Sequence, residues 1–386
     1  MHILDLGFPE SNARRDAFMG EQSLLRGRPE EGIRVLIWGF GAIGSGIAGV
    51  LLEKQGVSIT GVCDNHPHRI GRSIYTLLGI DPGSRPDVTV YERIEDVIDA
   101  PQFPGAELAL VATDSFVSGT FEKIKLLAEH GINVISTAEE MVYPWAGAPQ
   151  LAEQLDEVAR RNGVSILGAG INPGFIMDLF AVVLSGACRR VERIDVRRIN
   201  SLSEYGETVM SEQGVGLTPE EFRRRAADGS IAGHVGFRES IALICTALGW
   251  KLDGPITQSM NPIVSEVRRE SRYTGIAAGT VAGCDMRAVG SIDGEQRIFL
   301  EHPQQIEPQA EGVDTGDYIT IVGEPNIELR IVPEVPGGVG TAAICVNMIP
   351  QVINAPPGLK TMLDLPVPRA IMGDMRDQLE PESHAI

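Results

Sequence analysis

Short apolar runs alternate with amphipathic stretches through the first 170 residues. Arg34 to Trp38 is an apolar run that reads as a buried parallel strand, and Ser45 to Lys54 reads as a helix with Ile47, Val50 and Leu51 on one face. Further strands are expected at 57–63, 108–113, 133–136 and 164–167, with helices at 121–130 and 149–162 stopped by Gly131 and Gly163. Strands alternating with helices imply right-handed crossovers and a doubly wound parallel sheet.

The rhythm changes near residue 170. Arg193 to Ile199 alternates like a half-buried strand, and helices are expected at 219–227 and 238–248. Residues 260–335 are rich in β-formers and turns, which predicts a mostly antiparallel sheet. Gly337 to Gly340 reads as a break before a helix from Thr341 to Ile353, and the tail after Pro366 as polar and exposed. The fold class is therefore α/β, with a second α+β unit. The expected divisions are a weakly ordered extension over 1–30, a dinucleotide-binding unit over 31–168, an α+β substrate and dimerisation unit over 169–340, and a C-terminal helix and tail over 341–386 that pack back near the first unit.

Composition narrows the partners. A net charge of −19 argues against nucleic acid, which needs a basic face. No apolar run reaches membrane-spanning length, and residues 1–30 lack the apolar core of a signal peptide. The five cysteines are scattered, with no CxxC and no Cys/His cluster, so neither zinc nor a disulfide framework is expected and a cytoplasmic setting fits.

The strand at 34–38 runs directly into Gly39-Phe40-Gly41-Ala42-Ile43-Gly44, which opens the next helix, and Asp64 lies 20 positions past Gly44. This is the context of a Rossmann dinucleotide fingerprint. Gly39 permits the tight turn, Gly41 admits a pyrophosphate, and Gly44 allows close helix–strand packing. The helix N-terminus supplies free N–H groups and partial positive charge. Asp64 would accept from ribose hydroxyls, favouring NAD, while Arg69 among His66, His68 and Arg72 could hold a 2′-phosphate, so NAD and NADP both stay open.

Ligands of open α/β sheets sit outside the carboxyl ends of the strands. Three segments should end there: Ala112 to Ser115, carrying Thr113 and Asp114 toward the cofactor; Thr137 to Met141; and Gly168 to Gly174. The middle one carries Glu139 and Glu140. A glutamate buried beside an apolar ring has its pKa raised toward neutrality and can act as a general base. Neighbours on one loop cannot both face the substrate, and the alternative is that both cap the following helix.

The stretches GFGAIGSGIA (39–48), ATDSF (112–116), INVISTAEEMVYPW (132–145), ILGAGINPGFIMDL (166–179), RRINSLSEYG (197–206), SEQGVG (211–216), GHVGFRESI (233–241) and TAAICVNMIPQVINAPPGL (341–359) resemble the 2,4-diaminopentanoate dehydrogenase family and the related native amine dehydrogenases. The resemblance spans about residues 33–365 and leaves the first 30 residues without a function. It implies an architecture like that of dihydrodipicolinate reductase, NAD or NADP as cofactor, and oxidative deamination of an amine or its reverse, with an amine or ketone and ammonia as partners and a homodimer as the assembly. It makes Glu139 the catalytic carboxylate and places Asn172, Arg198, Asn200, His234 and Thr341 around the substrate.

The residue chemistry fits these roles. A base must free the nitrogen lone pair, and a carboxylate stabilises the cationic iminium that follows. Arg198 has the shape for a bidentate carboxylate contact; the alternative is a strand arginine paired with Glu192 or Asp195. Asn172 and Asn200 offer amide donors and acceptors, although Asn172 before Pro173 also suits a plain turn. His234 lies between glycines, and Thr341 suits a helix N-cap. Homoserine dehydrogenase and dihydrodipicolinate reductase share the expected architecture, but the former carries a lysine where Glu139-Glu140 stands, and the latter's His-His pair with lysine is missing. A nucleotide-sensing protein without turnover would leave Glu139, Arg198, Asn200 and His234 without a purpose.

Overall fold

The computed structural model describes residues 32–101, 103–203 and 205–380, so the expectation for residues 1–30 lies outside the described residues. Its first sheet has seven strands, β1 (Ile33–Trp38), β2 (Val57–Cys63), β3 (Val90–Tyr91), β4 (Leu108–Val111), β5 (Asn133–Ser136), β6 (Ser165–Gly168) and the late β15 (Gly358–Lys360). They run β15-β6-β5-β4-β1-β2-β3, every pairing parallel. β4 and β6 are buried at every position, as expected for central parallel strands covered on both faces. The covering helices include α1 (Ala42–Leu52), α2 (Val117–Glu129) and α3 (Pro149–Asn162), the last opening on proline and closing on left-handed Gly163.

After α4 (Leu179–Ser185) comes a second, six-stranded sheet. Its strands are β7 (Arg190–Ser201), β8 (Thr257–Val264), β11 (Val281–Ile292), β12 (Glu295–Gln305), β13 (Gly316–Glu324) and β14 (Ile327–Ile331), ordered β14-β13-β7-β12-β11-β8. The two-residue strands β9 (Arg269–Glu270) and β10 (Gly275–Ile276) form a separate hairpin. Only β7 and β12 pair in parallel within the large sheet. Helices α5 (Pro219–Asp228) and α6 (Phe237–Leu248) accompany it, and Thr218 caps α5 through its hydroxyl. The expected α/β sheet and mostly antiparallel α+β sheet are both present.

The register of β7 positions part of the site. Side chains alternate across a strand, so Ile194, Val196, Arg198 and Asn200 share the buried face. Arg193, Asp195 and Arg197 take the other face and pair there with Asp195 and Glu301.

Three expectations need correction. Gly337 to Gly340 does not break the chain; it is the first turn of α7 (Gly337–Asn347). These glycines let the helix press against its neighbours: a Cβ on Gly337 would stand 1.8 Å from Tyr205 Oη, and one on Gly340 2.8 Å from Ile171 Cγ1. The helix then breaks at Met348, and α8 (Ile349–Asn354) begins around Pro350. Pro350 has no N–H to donate and its ring crowds the carbonyl four residues back. The tail is not exposed throughout, since Ile371 and Met375 are buried and Met375 N donates to Gln55 O at 3.0 Å.

Candidate active site

The glycine turn separates demands of packing from demands of a ligand. Gly39 has φ +98°, and a Cβ there would lie 2.3 Å from the Ala112 carbonyl oxygen. A Cβ on Gly44 would lie 1.8 Å from the Gly39 oxygen. A Cβ on Gly41 would meet nothing within 4 Å among the described residues, so none of their atoms requires glycine there. It precedes α1, whose N-terminal N–H groups have no side-chain cap. An open cradle over free N–H groups suits a pyrophosphate. Ala42 and Ile43 open α1, and Phe40 is buried beneath the turn.

Asp64, at the end of β2, is buried and locks this turn. Its Oδ2 accepts from Phe40 N at 2.6 Å and its Oδ1 from His66 N at 2.8 Å. Arg69 is not a free solvated residue but donates from Nη1 to both oxygens at 3.1 Å. Thr113 Cγ2 abuts Gly39, and Thr113 Oγ1 accepts from Lys123 Nζ at 2.8 Å. Asp114 folds back over Gly119 and accepts from Phe116 N at 2.9 Å. The turn, Asp64 and Thr113 thus form a surface that fits NAD or NADP.

Glu139 follows β5 at the carboxyl end of the sheet. Burial pushes its carboxyl up to about 7, against hydrogen bonds from its own backbone and the Ser115 hydroxyl, with Glu212 and Asp114 adding repulsion. Glu140 is turned elsewhere. Its Oε2 accepts from Val117 N at 2.9 Å, at the start of α2, and its Oε1 meets Arg238 at 3.3 Å. Of the adjacent pair, one carboxylate caps a helix and supports an ion pair, and the other keeps a perturbed environment with hydrogen bonds but no ion pair among the described residues. The helix capped is the preceding one, not the following one.

The substrate-end candidates come from four segments. Asn172 precedes a cis proline, and its Nδ2 lies 3.5 Å from His234 Nε2. Burial, reinforced by the Arg198 charge, holds the His234 pKa down to about 3, so its ring is neutral. It stacks edge-on with His302 at 4.8 Å, and His302 Nδ1 lies 2.9 Å from the Arg198 carbonyl oxygen. Asn172 Oδ1 and Asn200 Oδ1 are buried with no hydrogen-bond partner among the described residues. Such orphaned acceptors point to a ligand with donors.

Arg198 and Thr341 stand differently from expectation. Arg198 is buried and ion-paired with Asp317, on the neighbouring strand β13, not with Glu192 or Asp195. Its Nη2 donates to the Val335 oxygen at 2.7 Å, and Val335 N donates to Asp317 Oδ2 at 2.9 Å. Two of the guanidinium's five N–H donors, one on each terminal nitrogen, are thereby committed to protein acceptors, and Asp317 balances its charge. Thr341 lies within α7 and caps nothing; its Oγ1 accepts from Ile171 N at 3.2 Å, tethering the Asn172 loop.

Several neighbours escaped the sequence reading. Tyr205, after β7, has its phenol pKa raised by burial, with Arg198 opposing and Glu334 and Glu139 adding to the shift. Its stretch was noted in the resemblance, but a single tyrosine carries no spacing signal. His302 and Asp317 reach the site only through sheet pairing. Among the described residues no group of three or more His, Cys, Asp or Glu is arranged to hold a metal.

Comparison with known proteins now adds to this geometry. The model of the 2,4-diaminopentanoate dehydrogenase C-terminal domain matches residues 175–381. A 2,4-diaminopentanoate dehydrogenase of Acetoanaerobium sticklandii is 54% identical over 356 residues, 92% of this chain and 99% of that one. The chain belongs to the 2,4-diaminopentanoate dehydrogenase family. An amine dehydrogenase of Streptomyces virginiae is 25% identical over 88% of this chain and 98% of its own. The solved amine dehydrogenase of Mycobacterium smegmatis superposes with a TM-score of 0.79 at 27% identity, covering 90% of this chain and all of that chain. Membership in this family sets aside the homoserine dehydrogenase and dihydrodipicolinate reductase alternatives.

Proposed function

We propose that the chain catalyses NAD(P)-dependent oxidative deamination of a 2,4-diaminopentanoate-like diamino acid to a ketone and ammonia, or the reverse reductive amination. The carrying observation is Glu139: a carboxyl group at the sheet's carboxyl end, with a pKa near 7, beside a neighbour that is committed to α2 and Arg238. The family assignment supports the substrate class.

A bound nicotinamide would supply the acceptor for the hydride from the amine-bearing carbon. The protein does the rest. Glu139 takes a proton from the substrate ammonium and frees the nitrogen lone pair. Once that proton passes to solvent, the restored carboxylate stabilises the cationic C=N⁺ group. It next removes a proton from the attacking water and returns it to the amino nitrogen, so ammonia leaves as the hydroxyl proton departs and the ketone forms. In balance, ammonium substrate, NAD(P)⁺ and water give ketone, ammonium ion, NAD(P)H and one proton. Asn172, Asn200 and neutral His234 hold the amino-acid end, and Arg198, its charge balanced by Asp317, braces the buried face of β7 from which Asn200 projects.

The outer face of the second sheet supports a homodimer. Arg193, Asp195, Arg197, Phe299, Glu301 and Tyr318 line a depression of ≈ 530 Å³ there, mixing both charge signs with aromatic surface that an identical face can match. Five free cysteines fit a reducing cytoplasm.

The test follows NAD(P)H absorbance with 2,4-diaminopentanoate and each cofactor, in both directions. Glu139→Ala should retain cofactor binding and lose amine oxidation by about 10²–10⁴-fold. Near-normal turnover in that variant would overturn the mechanism.

A further inference from the structure

Asp178 is a fully buried carboxylate that the mechanism above does not use. Its two oxygens have separate partners. Oδ1 accepts from Leu179 N at 2.6 Å, which caps the start of α4. Oδ2 accepts from Gly174 N at 2.8 Å and from Ser240 Oγ at 2.8 Å. Gly174 follows the Asn172-Pro173 cis peptide, and Ser240 lies in the first turn of α6, just beyond His234.

The same two loops also touch directly. Gly236, at φ +119°, sits so close to Pro173 that a Cβ would fall 2.5 Å from the proline Cγ. Side chains at Asn172 and His234 therefore emerge from segments fastened together on one side by Oδ2 and on the other by Gly236 against Pro173.

We propose that Asp178 is a positioning residue for the substrate end: through Oδ2 it ties the Asn172–Gly174 loop to the helix that follows His234, and so sets the distance between Asn172 and His234. This rests on the proposed function in assigning those two side chains to the amino-acid end of the substrate. A hydrogen bond from a neutral hydroxyl to a buried carboxylate is among the stronger kinds, so losing one loosens the tie. Ser240→Ala removes a single donor and leaves the α4 cap intact. Asp178→Asn goes further, because whichever way the amide turns, its NH₂ faces N–H or O–H donors.

The experiment uses the full chain. Steady-state kinetics are measured for 2,4-diaminopentanoate, for a monoamine without the amino-acid end, and for NAD(P)⁺. In Ser240→Ala, KM for the diamino acid should rise about tenfold, as a displaced Asn172 forfeits about one hydrogen bond to the charged amino-acid end. In Asp178→Asn it should rise further. The monoamine KM and the cofactor KM should stay within about twofold in Ser240→Ala. A readout free of turnover is the nitrogen-15 resonance of His234 Nε2, which should move in Ser240→Ala as the Asn172 contact relaxes. Unchanged diamino-acid KM together with an unmoved His234 resonance, at a lowered melting temperature, would overturn the proposal and leave Asp178 a purely structural cap. Failure of the proposed function shows separately, as wild-type protein inert toward the diamino acid; the His234 resonance then decides the positioning role alone.

Discussion

The amide nitrogen of Asn172 lies 3.5 Å from Nε2 of His234, across a sequence gap of 62 residues. Neither residue's chemistry specifies the other. One stands before a cis proline and the other between two glycines, and the contact exists because α6 begins against the proline. Asn172 Oδ1 and Asn200 Oδ1 remain as acceptors without donors among the described residues. An amino-acid end with its ammonium donors matches that arrangement.

The pH dependence follows from Glu139. With a pKa near 7, the carboxylate needed as a base is lost as pH falls through neutrality. Oxidative kcat/KM should therefore fall about tenfold per pH unit below about pH 7, and Glu139→Gln should lack that limb. Stability carries the opposite sign. The folded pKa lies above the usual 4.5, so the native state binds the proton more tightly than the unfolded chain. The stability of wild type relative to Glu139→Gln should decline as pH rises from 4.5 to about 7. Denaturant melts of both proteins across that range check it, and a flat difference would refute the raised pKa.

Arg198→Met should destabilise the fold more than it selectively damages substrate binding. The change leaves Asp317, which is fully buried, without its cation and frees the Val335 carbonyl. Breaking a buried pair by removing one partner costs about 3–5 kcal/mol. Asp317→Asn should weaken stability by the same route, and the double variant should cost less than the sum of the two. Urea unfolding of the three variants measures this coupling. An Arg198→Met protein of normal stability with only a raised diamino-acid KM would restore the role of a free carboxylate clamp.

The three glycines of the turn should respond differently to alanine. Gly41→Ala places a methyl in open space and leaves packing alone, so stability should hold while the dissociation constants for NAD and NADP rise, by about tenfold or more if the pyrophosphate occupies the cradle. Gly44→Ala drives a methyl into the Gly39 carbonyl and should cost folding itself. Fluorescence titration with each cofactor, beside thermal melts, separates the two. Equal cofactor affinity in wild type and Gly41→Ala would remove the pyrophosphate from this turn.

Much of the first sheet was legible because parallel strands buried on both faces read as continuous apolar runs, and glycines mark the helix ends. β2, β5 and α3 fall where the pattern places them. β3 and β15 were not legible: two or three residues show no period, and β15 joins β6 from far along the chain. The glycine run before α7 misled for a related reason. Glycine argues against a helix by its entropy, but here the lack of a Cβ lets the helix approach Tyr205 and Ile171.

Sequence by itself determined the fold class, the cofactor turn and a pair of adjacent acids, Glu139 and Glu140, as candidates for the base, since these depend on short-range order: a strand, a turn, a helix and an acidic residue at fixed spacing. Tertiary structure decided which charges are free. It sent Glu140 to α2 and Arg238, spent Arg198 on Asp317, and buried Glu139 enough to lift its pKa. The reason is physical: burial and pairing depend on which segments meet across the sheets, and no local pattern records the partner a charge will find.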